Sequence, residues 1–578
     1  MDQRWTRADA SPWPARLLAL VVALLVTGPA LGPGYVLLRD MVFVPRQELD
    51  LDALGLGGSL PRAVPVDAVM GVLTGVVPGD LVQKAVLLAT VSFAVLGAAR
   101  LVPPGPDGRR GAAGLVAGLV YGWSPYLAER LLMGHWTLLV AYAALPWIAR
   151  ESLRLRAGMR GSLPRLLLTC VPAALSPTGS LLAGGVVLAL VGRQRVPVAA
   201  GGLLLLSLPW IVAGALHPAG GASDAVGVDA FAARPENWGG TLLALLGTGG
   251  IWNEGAVPGS RTSVLVPLLT VLLVAVAVAG WAGRRPFGRP ARGLLVLGGA
   301  GVLLAGVGAV PGAAGLLEWA VETVPGAGLL RDGQKWIAWW ALPLAVGAGL
   351  GTRRLVSAVA RRDGGPVLGG ALVAGLLALP LIAMPDLVWG AGGRLQPVRY
   401  PADWDRVREA LTDDGTGDVL VLPFGAYRAF DWNDDRPQLD PAARWLSRPV
   451  VADDDLVVGG RTVAGEDLRA RAVAPAGDDP AALADLGIGW VLVERGTPGR
   501  PVPEGVAALP LIVDGADLRL YRVPGARPGP SPSAVRVVAV VGAHAVALGV
   551  GVGAVLWITT SGSTVALRRR PPRKRVAP

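Results

Sequence analysis

The stretch Pro366-Val-Leu-Gly-Gly-Ala-Leu-Val-Ala-Gly-Leu-Leu-Ala-Leu-Pro-Leu-Ile-Ala-Met384 contains no charged residue. About 20 apolar residues in an α-helix cross the roughly 30 Å hydrocarbon core of a bilayer, so this stretch predicts a transmembrane helix. Similar blocks recur along the 578 residues, of which 52% are hydrophobic and 16% charged, with a mean hydropathy of +0.51. This composition excludes a soluble enzyme, a disordered chain and a disulfide scaffold.

The apolar blocks together predict a polytopic α-helical membrane protein with about twelve transmembrane helices. The block 163–191 is too long for one helix and is interrupted by Ser176-Pro177-Thr178-Gly179, so it predicts two short helices that meet at a turn. The predicted spans are 15–32, 81–102, 111–131, 135–149, the two halves of 163–191, 196–215, 263–281, 293–310, 336–352, 366–384 and 534–558.

Arginine-rich connections alternate with acidic ones along the chain. Because positive residues collect in cytoplasmic loops, this alternation predicts a plasma-membrane protein with both termini in the cytoplasm. A cleaved signal peptide would leave about eleven spans, but no small-x-small cleavage site follows the first block, so an uncleaved helix is favoured. The arginines of the alternating connections include Arg4, Arg7, Arg16, Arg100, Arg109, Arg110, Arg150, Arg154, Arg156, Arg193, Arg195, Arg284, Arg285, Arg353, Arg354, Arg361 and Arg362.

Residues 385–533 have the composition of a separate, small α/β domain. They contain 16 Arg and 23 acidic residues, a net charge of −7, whereas the rest of the chain carries +18. Buried strands are predicted for 418–423 and 489–494, and a short helix for 481–486. A hairpin with its turn at Asp514-Gly515 is predicted for 511–522.

The predicted organisation has four parts. Residues 1–384 form a multi-helix transmembrane domain of about eleven spans, 385–533 an extracytoplasmic α/β domain, 534–558 the last transmembrane helix and 559–578 a basic cytoplasmic tail. Because the positive charge lies in the membrane part, it indicates contact with anionic lipids and gives no support to nucleic-acid binding.

Cysteine and histidine usage argues against a metal site built from these residues. Cys170 is the single cysteine and lies in an apolar block, which predicts a small buried side chain and excludes an intramolecular disulfide. His135, His217 and His544 are far apart and lack zinc-site spacing. No cofactor is predicted, and a divalent metal held by carboxylates stays open.

The first outer connection, 33–80, contains the main candidate for a general base. Asp40 follows the first span among apolar residues, and partial desolvation can raise the pKa of a carboxyl group into the useful range. The alternative is that Asp40 pairs with Arg39 or caps a helix. Asp50-Leu-Asp52 resembles the DxD motif of nucleotide-sugar enzymes, but a loop this acidic is expected to contain such a match by chance. Glu48 and Asp67 lie in the same connection.

Two further outer connections supply secondary candidates. The tight turn after the third span is predicted to bring Glu129, Arg130 and His135 together at the outer surface, where His135 and Trp136 either orient a sugar or phosphate or form an interfacial aromatic pair. The connection 216–262 contributes Asp229, Arg234, Glu236, Trp238, Trp252 and Glu254.

The connection 311–335 ends in two cations. Arg331 and Lys335 are four residues apart, which places them on one face of a helical turn, and Lys335 is one of only three lysines. Paired cations at a helix mouth suit a phosphate group, and the alternative is an ion-pair anchor with Asp332. We expect these connections to line one outward-opening cavity.

The order of these residues resembles the polytopic glycosyltransferases of the GT-C class. The resemblance is to bacterial YfhO-type membrane proteins and to actinobacterial arabinofuranosyltransferases. It rests on Asp40 after the first span, Gly134-His135 with Ala144-Leu-Pro146-Trp147, Leu330-Arg-Asp-Gly-Gln-Lys335, Leu486-Gly-Ile-Gly-Trp-Val-Leu-Val493 and Asp517-Leu-Arg-Leu-Tyr521.

The resemblance implies a specific reaction. Such enzymes transfer a sugar from a polyprenyl-phosphate donor to a cell-envelope glycan or glycolipid on the outer face. The resemblance also implies that Asp40 deprotonates the acceptor and that Arg331 and Lys335 hold the donor phosphate. The small α/β domain departs from the carbohydrate-binding β-domains of the arabinofuranosyltransferases, which puts a long-polymer acceptor in doubt. The alternatives are a non-catalytic envelope-assembly protein and a transporter or flippase of a lipid-linked glycan.

Overall fold

The computed structural model describes residues 12–568, apart from 59, 219, 222, 283–287, 362–363, 413–414 and 500. Outside the described residues lie most of the predicted basic tail and, of the arginines predicted to be cytoplasmic, Arg4, Arg7, Arg284, Arg285 and Arg362. The longer helices are Trp13–Thr27, Gly79–Leu101, Gly111–Gly122, Pro125–Leu132, Trp136–Arg156, Ser162–Ala174, Pro177–Leu190, Val196–Ala215, Val266–Trp281, Gly288–Gly306, Pro311–Thr323, Ile337–Val359, Gly365–Ala383 and Ala534–Arg568.

The helix Ile337–Val359 lies at the centre of the helical body. It packs against the helices Gly111–Gly122, Val266–Trp281, Gly288–Gly306 and Gly365–Ala383. Small residues permit this close packing: a Cβ atom on Gly280 would lie 2.0 Å from the carbonyl oxygen of Gly347. In a membrane such close backbone approach replaces the hydrophobic driving force that packs helices in water.

Five described helices are long and apolar enough to cross a membrane, and four shorter ones are apolar. The count of about twelve spans therefore stays a prediction. The division of 163–191 at Ser176 is confirmed, since that residue caps the helix Pro177–Leu190. The single span predicted for 111–131 is wrong, because the first helix ends at Gly122 and Ser124 caps a second that begins at Pro125.

Several span limits also differ from the prediction. The first helix ends at Thr27 rather than residue 32, because Gly28 is followed by the short 3₁₀ turn Pro29–Leu31. The helix predicted for 135–149 continues to Arg156, since the arginine-bearing segment after residue 149 extends the same helix. The helix predicted for 336–352 continues to Val359 for the same reason.

The predicted α/β unit contains a five-stranded sheet. Its strands are β1 Asp418–Leu422, β2 Val450–Val451, β3 Ile488–Glu494, β4 Leu511–Asp514 and β5 Leu518–Arg522, in the spatial order β4-β5-β3-β1-β2. Strand β1 pairs in parallel with both β2 and β3. Strand β5 pairs antiparallel with both β3 and β4. The predicted strands and hairpin are confirmed, as is the short helix, which spans Pro480–Asp485.

The connection 33–80 is attached to this unit. The pair Tyr35–Val36 forms a two-stranded ladder with Pro397–Val398. The hydroxyl of Tyr400 donates to the carbonyl of Phe43 at 2.9 Å. Residues 35–44 therefore form part of the wall between the helical body and the sheet, which places Asp40 at their junction.

Candidate functional site

A cavity of about 1640 Å³ lies between the helical body and the α/β unit. The connections 33–80, 130–135, 216–262 and 311–335 all contribute to its lining, as predicted from their charge. The lining also includes residues of 425–466, which the sequence did not indicate. Of the candidates, the cavity wall contains Asp40, His135, Arg234, Glu254, Arg331 and Lys335.

The backbone around Asp40 is held from both sides. Its amide donates to the carbonyl of Met133 at 3.2 Å, and Gly134 packs so closely that a Cβ there would lie 2.3 Å from the amide nitrogen of Met41. On the other side the amide of Arg39 donates to Pro437 of the α/β unit at 2.6 Å. Gly134 has a φ of 74°, so a glycine is required there for both reasons.

The carboxylate of Asp40 has two side-chain partners. Its Oδ2 lies 3.2 Å from Nε2 of His135, and its Oδ1 accepts from the hydroxyl of Tyr427. Burial raises the pKa of Asp40, but the hydrogen bonds from His135 and Tyr427 outweigh it, so the pKa lies below its ordinary value. The expectation of a raised pKa is therefore wrong, and Asp40 is an ionised carboxylate at neutral pH.

Beneath the cavity, Arg130 is the centre of a buried network. It donates to both carboxylate oxygens of Asp332, at 2.5 and 2.8 Å, and its Nε donates to Oε1 of Gln334 at 2.8 Å. Its Nη1 also lies 2.9 Å from Nδ1 of His135. The side chain is fully buried. The predicted surface location is wrong, because Pro125–Leu132 packs its charged face onto the residues just before the central helix.

Glu129 belongs to the same buried layer and not to the cavity wall. Its Oε2 accepts from the amide of Ile251 at 3.2 Å and from the side-chain amide of Gln334 at 3.1 Å. It thereby joins the connections 216–262 and 311–335 beneath the cavity. These contacts indicate a structural role.

Arg331 and Lys335 both reach the cavity, but their surroundings differ. Arg331 lies over the ring of Phe231 and pairs with Glu466 at 3.4 Å. Lys335 has no ion pair or hydrogen-bond acceptor for its ammonium among the residues that the structure describes. Burial lowers its pKa to about 8, although Asp332 nearby opposes the shift. The alternative of an anchor pair with Asp332 is not what the structure shows, since Asp332 is engaged by Arg130.

Several lining residues were not predicted from the sequence, among them Arg62, Tyr427 and Glu466. Arg62 pairs with Glu466 at 2.6 Å and so lies beside Arg331. Tyr427 begins the short strand Tyr427–Ala429, and Glu466 lies in a loop of the α/β unit. No sequence signal indicates that these segments fold back over the connections of the helical body, so the missed residues could only be found from the structure.

The remaining candidates divide between the cavity and other sites. Arg234 and Glu254 form an exposed pair at 3.6 Å and line the cavity with Trp252. Asp229 pairs instead with Arg461 outside the lining, and Trp238 is exposed.

Two acidic candidates have structural roles. Glu236 forms a buried ion pair with Arg261 at 2.6 Å. Asp50 accepts from the amide of Ala53 and caps the helix Leu51–Leu54, so the DxD resemblance has no structural counterpart. Within the described part of the chain, His, Cys, Asp and Glu side chains form no group that could hold a metal ion.

The fold is similar to solved structures of a membrane glycosyltransferase. A cryo-EM structure of the arabinofuranosyltransferase AftD from mycobacteria matches 91% of this chain with a TM-score of 0.57 and 19% identity. Two structures of an AftD mutant match 90% of the chain with TM-scores of 0.56 and 0.52, at 17% and 16% identity. This chain spans 40% to 42% of the length of those AftD chains.

The comparison establishes the fold. The resemblance to actinobacterial arabinofuranosyltransferases is thereby confirmed at the level of the fold. No protein-family model and no curated protein matches the sequence.

Proposed function

We propose that this chain is a membrane glycosyltransferase that transfers a sugar from a polyprenyl-phosphate donor to a glycan or glycolipid acceptor. One observation supports this most strongly: a carboxylate, Asp40, and an ammonium group without an anionic partner in the described structure, Lys335, line the same cavity. The AftD-like fold supports the same class of reaction. Since AftD is an arabinofuranosyltransferase by name, a pentofuranose is the first donor sugar to test.

In this reaction Asp40 acts on the acceptor. Its carboxylate accepts the proton of the acceptor hydroxyl as the oxygen attacks the anomeric carbon of the donor. The bond from that carbon to the phosphate oxygen breaks, and the electron pair leaves with the polyprenyl phosphate. No metal or nucleotide enters this scheme. Because the pKa of Asp40 lies below its usual range, the base is already ionised when the acceptor binds.

Lys335 acts on the leaving group. Its ammonium lines the cavity and forms no ion pair with a described carboxylate, because nearby Asp332 is engaged by Arg130. The donor phosphate would therefore be its ion-pair partner. Arg331 lies in the same wall and would become a second contact if the phosphate displaced Glu466 from it. Fixed cations stabilise the negative charge that develops on a leaving phosphate, usually the largest catalytic contribution.

The orientation in the membrane is part of the proposal. We infer that both termini face the cytoplasm and that the α/β unit and the cavity face outward, because the arginine-rich connections lie at the opposite ends of the helices. Reporter fusions after Ala360 and in the Gly459-Gly460 turn test this. They should report opposite sides of the membrane, and a common side would overturn the orientation.

The transfer reaction itself is tested with Asp40→Asn. The substitution keeps the shape of the side chain and removes its basicity, and general-base assistance is worth about 100- to 10,000-fold. Membranes containing the full chain are given a radiolabelled short-chain polyprenyl-phosphoryl arabinofuranose and envelope glycolipid. Transfer should fall by that factor at an unchanged expression level. Asp514→Asn, at an exposed ion pair of the α/β unit, is the matched control.

The alternatives predict other outcomes. A non-catalytic assembly protein gives no transfer with either the wild type or the variants. A flippase moves the labelled donor across the membrane without forming a glycoside. Either result would overturn the proposal, as would full transfer by Asp40→Asn.

A further inference from the structure

His135 lies between the carboxylate of Asp40 and the guanidinium of Arg130. Its Nε2 is 3.2 Å from Oδ2 of Asp40, and its Nδ1 is 2.9 Å from Nη1 of Arg130. The two ring nitrogens therefore face groups of opposite charge. A ring placed in this way has its proton position set by its neighbours.

The neighbours of His135 permit one arrangement of its proton. A guanidinium has only N–H donors and stays protonated, so Nδ1 must present its lone pair to Arg130. The ring proton then sits on Nε2, where it is donated to Asp40. A proton on Nδ1 would place two donors, Nδ1–H and the N–H of Arg130, against each other. Nε2 and the carboxylate of Asp40 would then be two acceptors facing each other.

Arg130 is fixed firmly enough to impose this arrangement. Both of its terminal nitrogens donate to Asp332, its Nε donates to Gln334, and its plane lies near the ring of Tyr126. The other charged or titratable groups beside the network include Lys335, next to Asp332, and Glu129, next to Arg130. Beside Asp40 they include Tyr427, which donates to its carboxylate, and Arg444.

We propose that Arg130 is a positioning residue that holds His135 as a neutral Nε2–H donor to Asp40. His135 then orients the base and cannot take the acceptor proton, because its second nitrogen is occupied by a guanidinium. The proton that leaves the acceptor hydroxyl stays on Asp40, whose remaining carboxylate lone pairs are open to the cavity. The role of His135 in the reaction rests on the proposed function. The position of its ring proton does not depend on that function.

The proton position can be measured directly because the chain has only three histidines. The full chain, labelled with ¹⁵N in the imidazole rings and held in lipid nanodiscs at pH 7, is studied by NMR, and His135→Gln assigns the signal. We expect one tautomer, with a protonated Nε2 and an unprotonated Nδ1. A protonated Nδ1, or a mixture of tautomers, would overturn the proposal whether or not the protein shows transferase activity.

A pair of substitutions tests the role in catalysis. Glutamine can donate through its amide nitrogen to Asp40 and accept through its oxygen from Arg130, whereas leucine can do neither. His135→Gln should keep kcat within about tenfold of the wild type, and His135→Leu should lower it by a further tenfold or more with an unchanged donor KM. His544→Gln and His544→Leu, in the helix Ala534–Arg568, are the matched controls.

The NMR measurement and the comparison of variants distinguish the possible failures. Equal losses for His135→Gln and His135→Leu would show that His135 carries the proton itself, and the proposal would be wrong. Replacing the buried pair by Arg130→Met with Asp332→Leu avoids an unpaired buried charge and should mix the tautomers of His135. An unchanged single tautomer in that variant would show that Arg130 does not set it. Full transfer by Asp40→Asn would overturn the proposed function alone.

Discussion

The cavity wall and the buried layer beneath it use the same residue types but differ in how their charges are paired. In the buried layer every nitrogen of the Arg130 guanidinium donates to a named partner. Asp332, which borders the cavity, accepts from it with both oxygens. In the wall the ammonium of Lys335 faces a cavity of about 1640 Å³ without an anionic partner in the described residues. Asp332 and Lys335 are three residues apart, so one connection contains both a paired charge and an unpaired one.

Paired and unpaired charges have different consequences for stability and for ligand binding. A buried charge is tolerated when it is paired and hydrogen-bonded, and removing its partner costs stability. A charge that is buried without a partner and faces a cavity indicates a site for a ligand of opposite sign. The comparison therefore predicts that substitutions below the cavity change stability first and that substitutions in the wall change the reaction first.

The largest effect on stability is expected for Asp332→Asn. It leaves the guanidinium of Arg130 buried beside a neutral amide, and breaking a buried ion pair costs about 3–5 kcal/mol. The midpoint of thermal unfolding in detergent should fall clearly below that of the wild type. Asp514→Asn should leave it unchanged, because that carboxylate is exposed. Equal midpoints for wild type and Asp332→Asn would remove the distinction between the two regions.

The next effect is on donor binding. Lys335→Ala removes one charged hydrogen bond to the phosphate, which is worth about 1.5–3 kcal/mol, so the donor KM should rise by about 10- to 100-fold. The acceptor KM and the unfolding midpoint should change little. Lys84→Ala is the matched control, since Lys84 pairs with Asp80 on the helix Gly79–Leu101. A donor KM unaffected by Lys335→Ala would place the phosphate elsewhere.

The pH dependence of donor binding is a smaller effect that sharpens the same comparison. Burial lowers the pKa of Lys335 to about 8, so the cationic form that binds phosphate is present below pH 8 and is lost as the pH rises through it. The donor KM should therefore rise by about tenfold between pH 7 and pH 9.5. In Lys335→Arg this rise should disappear, because a guanidinium keeps its proton throughout. A rise that persists in that variant would belong to another group.

The smallest effect is expected at the contact between the α/β unit and the base. Tyr427→Phe removes one hydrogen bond that lowers the pKa of Asp40, and a single such bond contributes about 1 kcal/mol. The carboxylate becomes slightly more basic, so kcat should rise by no more than about fivefold. Steady-state transfer rates at saturating donor measure this. A loss of more than tenfold would mean that the hydroxyl takes part in the reaction.

Local features were predictable from the sequence where their signals are local. The strands at 418–422 and 488–494 and the hairpin 511–522 follow from short buried apolar runs and a turn at Asp514-Gly515, and the structure confirms them. The division at Ser176 follows from a turn sequence in the same way. The prediction that four charged connections line one cavity follows from charge distribution and is also confirmed, whereas the outward opening of that cavity stays a prediction.

Features that depend on which segments meet in space were not predictable. The contact of Tyr427 with Asp40 joins residues 387 positions apart, and it adds to the larger contribution of His135 in lowering the pKa of Asp40. The burial of Arg130 depends on Asp332, which is 202 positions away. Neither partner can be chosen from sequence spacing, because pairing across this distance is set by how the helices pack.

A structure of the full chain with a non-hydrolysable polyprenyl-phosphonate sugar analogue would decide whether this cavity is the donor site. We expect the phosphonate group within hydrogen-bond distance of Nζ of Lys335, with the sugar between it and the carboxylate of Asp40. An analogue bound with its phosphonate outside this cavity, or in the cavity but away from both Lys335 and Arg331, would show that the donor site lies elsewhere.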